Sequence, residues 1–226
     1  MIYAEHKRFF KDRAEAGYEL GLLLASKYKD LDPIVFGIPR GGVEVAYYVA
    51  RQLHAPLSLI VSKKLPHPQQ PEFGIGAVSE ENSIYISPQI KKMIIPQVLD
   101  EIIEEQVLEV ARRVREYRKG KPLPNMKGRT VILVDDGIAT GVTLVPVIQL
   151  FRKKHAARII IAAPVSGTSY NEALNEADGI EILVQPQSFY AVGQVYEHFG
   201  DFEDHELMAL LDKASLAYKT EHQSKI

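Results

Sequence analysis

The chain has 226 residues, of which 46% are hydrophobic and 25% are charged, and its formal net charge is −2. A nearly neutral chain has no general attraction for nucleic acid or for an anionic membrane, so an anionic ligand needs a local site. The chain has no cysteine, which excludes disulfides, thiolate metal sites and cysteine nucleophiles. Because its first residues are polar and no apolar run could span a bilayer, we expect a soluble, cytoplasmic protein without a membrane partner.

The spacing of apolar residues predicts helices and strands that alternate along the chain. Helices are expected over residues 6–28, after Gly42 to about Leu53, from Pro96 to about Arg118, and from about Val142 to Lys154. Short buried strands are expected at 33–38, 57–61, 130–134, 159–163 and 180–184. Strands separated by helices indicate an α/β fold with a mostly parallel twisted sheet and helices on both faces.

The remaining segments carry weaker signals. Residues 64–74 contain three closely spaced prolines and are predicted to form a long loop. Residues 75–78 and 83–86 could pair as a hairpin. From about Ala214 the chain is polar and lacks an apolar face, so we divide it into a single domain, 1–213, and a polar tail, 214–226, that is expected to lack order.

Two unusual loops directly follow predicted strands, at 37–42 and 135–143. Ligands of parallel sheets bind at the carboxyl ends of the strands, so both loops are expected at one edge of the sheet. In the second loop, Ala139 to Thr143 can wrap a phosphate with backbone N–H groups and threonine hydroxyls, at the positive end of the next helix. Asp135 and Asp136 can accept hydrogen bonds from vicinal sugar hydroxyls or bind magnesium. The alternative, a helix capped by one threonine, leaves the adjacent aspartates unexplained.

The segment from Val131 to Thr143 resembles the signature of the type I phosphoribosyltransferases, an apolar strand, two acidic residues and a small-residue loop ending in Thr-Gly-x-Thr. The resemblance implies a site for phosphoribosyl pyrophosphate with Mg2+, in which Asp135 and Asp136 hold the ribose and the metal. The implied phosphate-binding residues are Gly137, Ala139, Thr140, Gly141, Val142 and Thr143. Purine-type relatives often carry an aspartate where Ala139 stands, so a hypoxanthine- or guanine-like acceptor is disfavoured and no general acid or base is assigned.

The loop after the first strand resembles the pyrophosphate-binding loop of the same family. Its glycine pair lets the backbone approach a ligand, and Arg40 can donate two hydrogen bonds to phosphate oxygens. The resemblance implies unusual backbone geometry here and contacts from Pro39, Arg40, Gly41 and Gly42. Lys63 and Lys64 are implied to meet pyrophosphate as well. The alternatives are a tight turn with a solvated arginine and a solvated lysine pair.

Two further segments are interpreted through the resemblance. In the family, a mobile loop corresponding to 68–78 closes over the site, and Glu72 is either a catalytic carboxylate or a surface charge. A small hood covers the acceptor base, and we place it at about 185–202, with an N-terminal contribution left open. Phe189 and Tyr190 are predicted to contact the acceptor. Matches at 10–17 and 199–202 extend the resemblance to a group of bacterial and archaeal proteins of unsettled substrate.

The resemblance implies a transferase that moves phosphoribose from phosphoribosyl pyrophosphate to a small nitrogenous acceptor, expected to be a nucleobase, and releases pyrophosphate. Arg40, Lys63 and Lys64 would add positive charge where negative charge develops. The alternative is a non-catalytic regulator that senses phosphoribosyl pyrophosphate or a nucleotide, and a weaker third is a phosphatase- or hydrolase-like use of the site. Nucleic acid is disfavoured by the near-neutral charge. The acceptor and the oligomeric state are open, although homodimers are common among relatives.

Overall fold

The computed structural model of the chain describes residues 9–223. Its helices are α1 Arg13–Tyr28, α2 Gly41–Leu53, α3 Pro88–Lys91, α4 Pro96–Arg118, α5 Val145–Lys153 and α6 Asp204–Gln223. Its strands are β1 Ile34–Gly37, β2 Leu57–Leu59, β3 Ser62–His67, β4 Gln70–Ser79, β5 Ser83–Ile86, β6 Thr130–Val134, β7 Arg158–Val165 and β8 Gly179–Val184. Residues 6–8 of the predicted first helix and 224–226 of the predicted tail lie outside the described residues.

Five strands form a fully parallel sheet in the order β2–β1–β6–β7–β8. Helices α1 and α2 cover one face, and α5 covers the other. Every residue of β6 is buried, as expected for a strand covered on both faces, which therefore has no polar alternation in its sequence. The α/β prediction with a mostly parallel sheet and helices on both faces is confirmed.

Residues 64–74 are not the predicted long loop, because most of them belong to strands of a second, antiparallel sheet in the order β3–β4–β5. The prediction gave the prolines too much weight. The pairing of β3 with β4 is irregular on both sides of Pro66, and such an irregularity accommodates a residue without an N–H group. Leu65 and Ile75 are fully buried and supply the apolar face of the hairpin. The hairpin predicted for 75–78 and 83–86 is confirmed by the pairing of β4 with β5.

Helix α1 begins at Arg13, not at residue 6 as predicted. The side chain of Asp12 accepts a hydrogen bond from the backbone N–H of Glu15 at 2.9 Å, which caps the helix at this residue. Among the residues before the cap, Phe10 forms a β-bridge with Tyr196. The chain ahead of α1 is therefore held against the 185–202 region instead of continuing the helix.

The segment from Ala214 was predicted to be a disordered tail, but helix α6 continues through Gln223. Its apolar side chains recur at helical spacing, at Leu207, Leu211, Ala214 and Tyr218. They lie on the side of α6 that contacts α2 and β2. The prediction was wrong because the small residues between charged ones hid this apolar face. None of the helices in residues 9–223 has the length and hydrophobicity required to cross a bilayer.

We expect Leu207→Ala to lower the free energy of unfolding by about 2–5 kcal/mol, since it leaves a cavity under a fully buried side chain. Leu216→Ala is the matched control, because Leu216 lies on the same helix with 70% of its surface exposed. The control should change stability by less than about 0.5 kcal/mol. Denaturant titrations of both variants measure the difference, and equal effects would contradict the packing of α6 described above.

Candidate functional site

The order of the parallel strands reverses between β1 and β6, and the two unusual loops both leave the sheet at this point. Gly37 at the end of β1 lies opposite Val134 at the end of β6. The loops begin side by side, and the N–H of Ile38 donates to the carbonyl of Val134 at 3.0 Å. Such a reversal opens a crevice at the carboxyl edge of a parallel sheet, where ligands of these folds bind.

The glycine pair of the first loop packs directly against the aspartates of the second. A Cβ atom on Gly41 would lie 2.0 Å from Oδ2 of Asp136, and one on Gly42 would lie 3.0 Å from Oδ1 of Asp135. Only residues without a side chain allow the backbone to come this close. The peptide bond between Pro39 and Arg40 is cis, which confirms the unusual backbone geometry expected in this loop.

Asp135 and Asp136 are carboxylates crowded at a strand end. Oδ1 of Asp135 accepts a hydrogen bond from the N–H of Asp136 at 2.9 Å, and Oδ2 of Asp136 accepts one from Nε of Arg13 at 2.8 Å. Burial, followed by the charge of Asp136, raises the pKa of Asp135 well above its ordinary range. Burial also raises the pKa of Asp136, and Arg13 opposes that shift. A cation or hydroxyl donor placed here would relieve the repulsion between the two carboxylates.

The rest of the second loop, from Ala139 to Thr143, lies just ahead of α5, and we call it the amide cup. Gly141 adopts a left-handed φ of 70°, and a Cβ atom there would meet Leu174 at 2.5 Å. Within residues 9–223, no protein acceptor receives the N–H groups of Ala139, Thr140, Gly141 or Thr143. Open amides at the N-terminal end of a helix attract anions. The cup and the carboxylates together suit a phosphorylated ligand that carries vicinal hydroxyls.

The two lysines of β3 project to opposite faces of their strand. Gly74 lies between Lys64 and Val142, because a Cβ atom on it would be 2.9 Å from Cδ of Lys64 and 3.5 Å from Cγ1 of Val142. Nζ of Lys64 donates to the carbonyl of Glu72 at 2.8 Å. Lys63 faces α4, where burial and then the charge of Arg113 lower its pKa. The structure thus brings Lys64, but not Lys63, beside the amide cup.

Three other predicted site residues have their described contacts elsewhere. Nη1 of Arg40 lies 3.6 Å from Glu203 and 3.8 Å from Asp204. Phe189 packs near Gly167 with its ring partly buried, and Tyr190 is 90% exposed. The proposed roles of Arg40, Phe189 and Tyr190 therefore stay predictions.

The sequence did not lead us to the side chains that hold the second loop, residues 135–143, in place, and we call this segment the acidic loop. Arg13 is only 8% exposed and binds Asp136. The hydroxyl of Tyr196 donates to the backbone carbonyl of Asp136 at 2.6 Å. One signal was available for Arg13, since it occupies the position that continues the buried stripe of α1 formed by Gly17, Leu20 and Leu24. A cation on an apolar stripe needs a buried partner.

Comparison with known proteins assigns the family. The phosphoribosyl transferase domain family matches residues 19–196. Two proteins of Mycobacterium tuberculosis, named provisionally as phosphoribosyl transferases, are 35% identical over 210 residues, which cover 92% of this chain and 47% of theirs. The crystal structure of TT1426 from Thermus thermophilus is 35% identical, with a TM-score of 0.77 over 90% of this chain and 98% of that one. The chain belongs to the phosphoribosyl transferase domain family, and it spans about half the length of the curated relatives it matches.

The raised pKa of Asp135 predicts a pH-dependent stability. In the folded state Asp135 keeps its proton at pH values above 3.8, which is the ordinary pKa of this group. The wild type therefore loses stability as the pH rises from 3.8 through the raised pKa. Asp135→Asn removes this loss, and the variant should gain stability relative to the wild type over that range. Denaturant titrations between about pH 4 and 8 measure the difference.

Asp178→Asn is the control for this experiment. Burial raises the pKa of Asp178, but hydrogen bonds from Arg152 and from the N–H of Ile159 outweigh burial and lower it overall. The stabilisation from Asp178 is then fully present above its ordinary pKa. The difference in free energy of unfolding between Asp178→Asn and the wild type should therefore stay constant over the same pH range. A constant difference for Asp135→Asn as well would contradict the raised pKa.

Proposed function

We propose that the chain is a phosphoribosyltransferase that binds phosphoribosyl pyrophosphate at the β1–β6 crevice and transfers phosphoribose to a nitrogenous acceptor, expected to be a nucleobase, releasing pyrophosphate. The observation that carries the proposal is the pairing of two carboxylates with an open amide cup, on a chain of the phosphoribosyl transferase domain family.

The amide cup is the proposed site of the 5′-phosphate. The N–H groups between Ala139 and Thr143 would donate to the phosphate oxygens, and the hydroxyls of Thr140 and Thr143 would add two donors. A hydrogen bond of 2.7 Å from Ser62 to the carbonyl of Thr143 ties this loop to β3. This bond fixes one end of the cup before the ligand arrives, which lowers the entropic cost of binding.

The carboxylates are the proposed site of the ribose hydroxyls. One oxygen of each is already engaged, Oδ1 of Asp135 by a backbone N–H and Oδ2 of Asp136 by Arg13. The 2′- and 3′-hydroxyls would donate to these carboxylates in place of the hydrogen bond that the two side chains make with each other. Because the engaged oxygens fix both carboxylates in direction, the ribose would be oriented and not merely attracted.

The same two residues fit Mg2+. No group of three or more histidine, cysteine, aspartate or glutamate side chains within the described part of the chain could form a complete metal cage. Mg2+ is commonly held by one or two carboxylates together with substrate phosphates, so Asp135 and Asp136 would share it with the donor. When bound, the cation neutralises the charge of the departing pyrophosphate.

The chain's own groups would act mainly by position and charge. The backbone at Gly41 and Gly42 packs against the carboxylates and would contact pyrophosphate bound beside them, and Lys64 lies near the cup. Arg40 would have to leave Glu203 and Asp204, and partly exposed ion pairs of 3.6–3.8 Å are weak enough to allow it. Movement of the β3–β4 hairpin over the crevice would then exclude water from the cation-like ribose.

The alternative is a non-catalytic protein that senses phosphoribosyl pyrophosphate or a nucleotide. Ala139 favours this alternative, since it leaves the loop without a general acid or base. The orientation of Arg40 toward Glu203 favours it as well. Binding of the donor is common to both functions, whereas release of pyrophosphate in the presence of an acceptor belongs to the transferase alone.

The first test is calorimetric titration with phosphoribosyl pyrophosphate, with and without Mg2+. We expect binding that strengthens with Mg2+ and is reduced at least about a hundredfold in the Asp135→Asn/Asp136→Asn double variant, because two charge-assisted contacts are lost. Asp32→Asn is the control, since Asp32 precedes β1 at the opposite edge of the sheet and pairs with Arg129.

The outcomes separate the two functions. Binding followed by acceptor-dependent pyrophosphate release supports the transferase. Binding without release across a panel of nucleobases supports the sensor. Failure of the folded wild type to bind the donor, or equal binding by the double variant, would overturn both.

A further inference from the structure

Arg13 makes contacts to three different parts of the site. Its Nε donates to Oδ2 of Asp136 at 2.8 Å, and its Nη1 donates to the carbonyl of Gly200 at 2.9 Å. The plane of its guanidinium lies over the ring of Phe199, 4.0 Å from the centroid. Glu44 lies 3.7 Å from Nη1. The buried guanidinium is therefore bound through Nε, through Nη1 and through its face.

The contacts close a ring with the acidic loop. Phe199 stacks on Tyr196 with centroids 5.1 Å apart and an interplanar angle of 26°. The hydroxyl of Tyr196 returns to the backbone carbonyl of Asp136 at 2.6 Å. Asp136 is thus held by its side chain through Arg13 and by its backbone through Tyr196, and the two holding groups are joined by Phe199.

The same segment is tied to the chain ahead of α1. The N–H of Glu197 donates to the carbonyl of Phe10, and the N–H of His198 donates to that of Lys11, both at 2.8 Å. Residues 199–202 and Arg13 also line a cleft of about 210 Å³ with Arg40 and Gly41. We call residues 196–200 the hood segment, because they lie beside the glycine pair and the acidic loop together.

We propose that Arg13 is a positioning residue that couples the sugar-binding carboxylates to the hood segment. Nε of the guanidinium orients the Asp136 carboxylate. Nη1 holds the carbonyl of Gly200, and the face of the group packs on Phe199. Losing the contact at Asp136 therefore loosens the hood segment. The part that concerns sugar binding rests on the proposed function, whereas the coupling itself is a property of the free protein.

The chemistry of arginine explains why this residue type is needed. A guanidinium is planar, carries donors in fixed directions and stacks on aromatic rings. A lysine could pair with Asp136, but its single ammonium group could not also reach Gly200 and cover Phe199. Arg13→Lys therefore separates the charge at the carboxylate from the link to the hood segment, and Arg13→Gln removes both.

The test measures amide hydrogen exchange of the free protein and binding of ribose 5-phosphate without Mg2+. Arg13→Gln, Arg13→Lys and Asp136→Asn should each speed exchange at residues 196–198, by about tenfold for the loss of one charge-assisted contact. Arg13→Gln should raise the Kd for ribose 5-phosphate about tenfold, and Arg13→Lys should stay within about threefold of the wild type. Lys27→Gln, which removes an ion pair to Glu181 from the same helix, should change neither quantity.

Each result decides the proposal. Unchanged exchange at 196–198 in Asp136→Asn would overturn the coupling, even if Arg13→Gln is unstable. Equal Kd values for the two Arg13 variants would reduce Arg13 to a structural contact and overturn its positioning role. If the wild type binds neither ribose 5-phosphate nor phosphoribosyl pyrophosphate, the proposed function fails, and the exchange result alone supports or overturns the coupling.

Discussion

The site depends on how closely two backbone segments approach each other at the ends of β1 and β6. Without side chains at Gly41 and Gly42, α2 can begin against the carboxylates of Asp135 and Asp136. That approach places the glycine backbone of one loop and the acids and amides of the other around a single crevice. A methyl group at Gly41 would occupy the space of a carboxylate oxygen, so the glycine and the acid are one constraint and not two independent features.

Crowding of this kind creates an electrostatic problem that the fold resolves only in part. Two carboxylates at a buried strand end repel each other, and burial raises the pKa of both. Arg13 supplies one positive charge, which forms its ion pair with Asp136. The uncompensated charge that remains is a cost to the free protein, and a ligand carrying hydroxyls or a cation would relieve it. Stability and binding are therefore opposed at these two residues.

The features that could be predicted are those formed by residues that lie close together in the sequence. The buried run before Asp135 and the small-residue loop after it lie within one continuous stretch, so the strand and the loop could be anticipated. The strands of 64–74 were missed because prolines are local signals, whereas pairing across a hairpin depends on distant partners. The continuation of α6 from Ala214 was missed because its apolar residues there, Ala214, Ala217 and Tyr218, are small or aromatic and spaced among charges. Arg13 was missed because its partner lies 123 positions away.

Residues 10–13 and 196–200 both support the site, although neither segment belongs to the motif at 131–143. Phe10 forms a β-bridge with Tyr196, and Arg13 binds both Asp136 and Gly200. The acidic loop is therefore braced by one segment that precedes the strands of the parallel sheet in the chain and by one that follows them. In the proposed function, the contacts of this loop to phosphate and ribose are made by its backbone and two acids. The bracing segments lie outside that motif and hold it through side chains. Substitutions in the bracing segments would therefore change how the acidic loop is held without altering the cup itself.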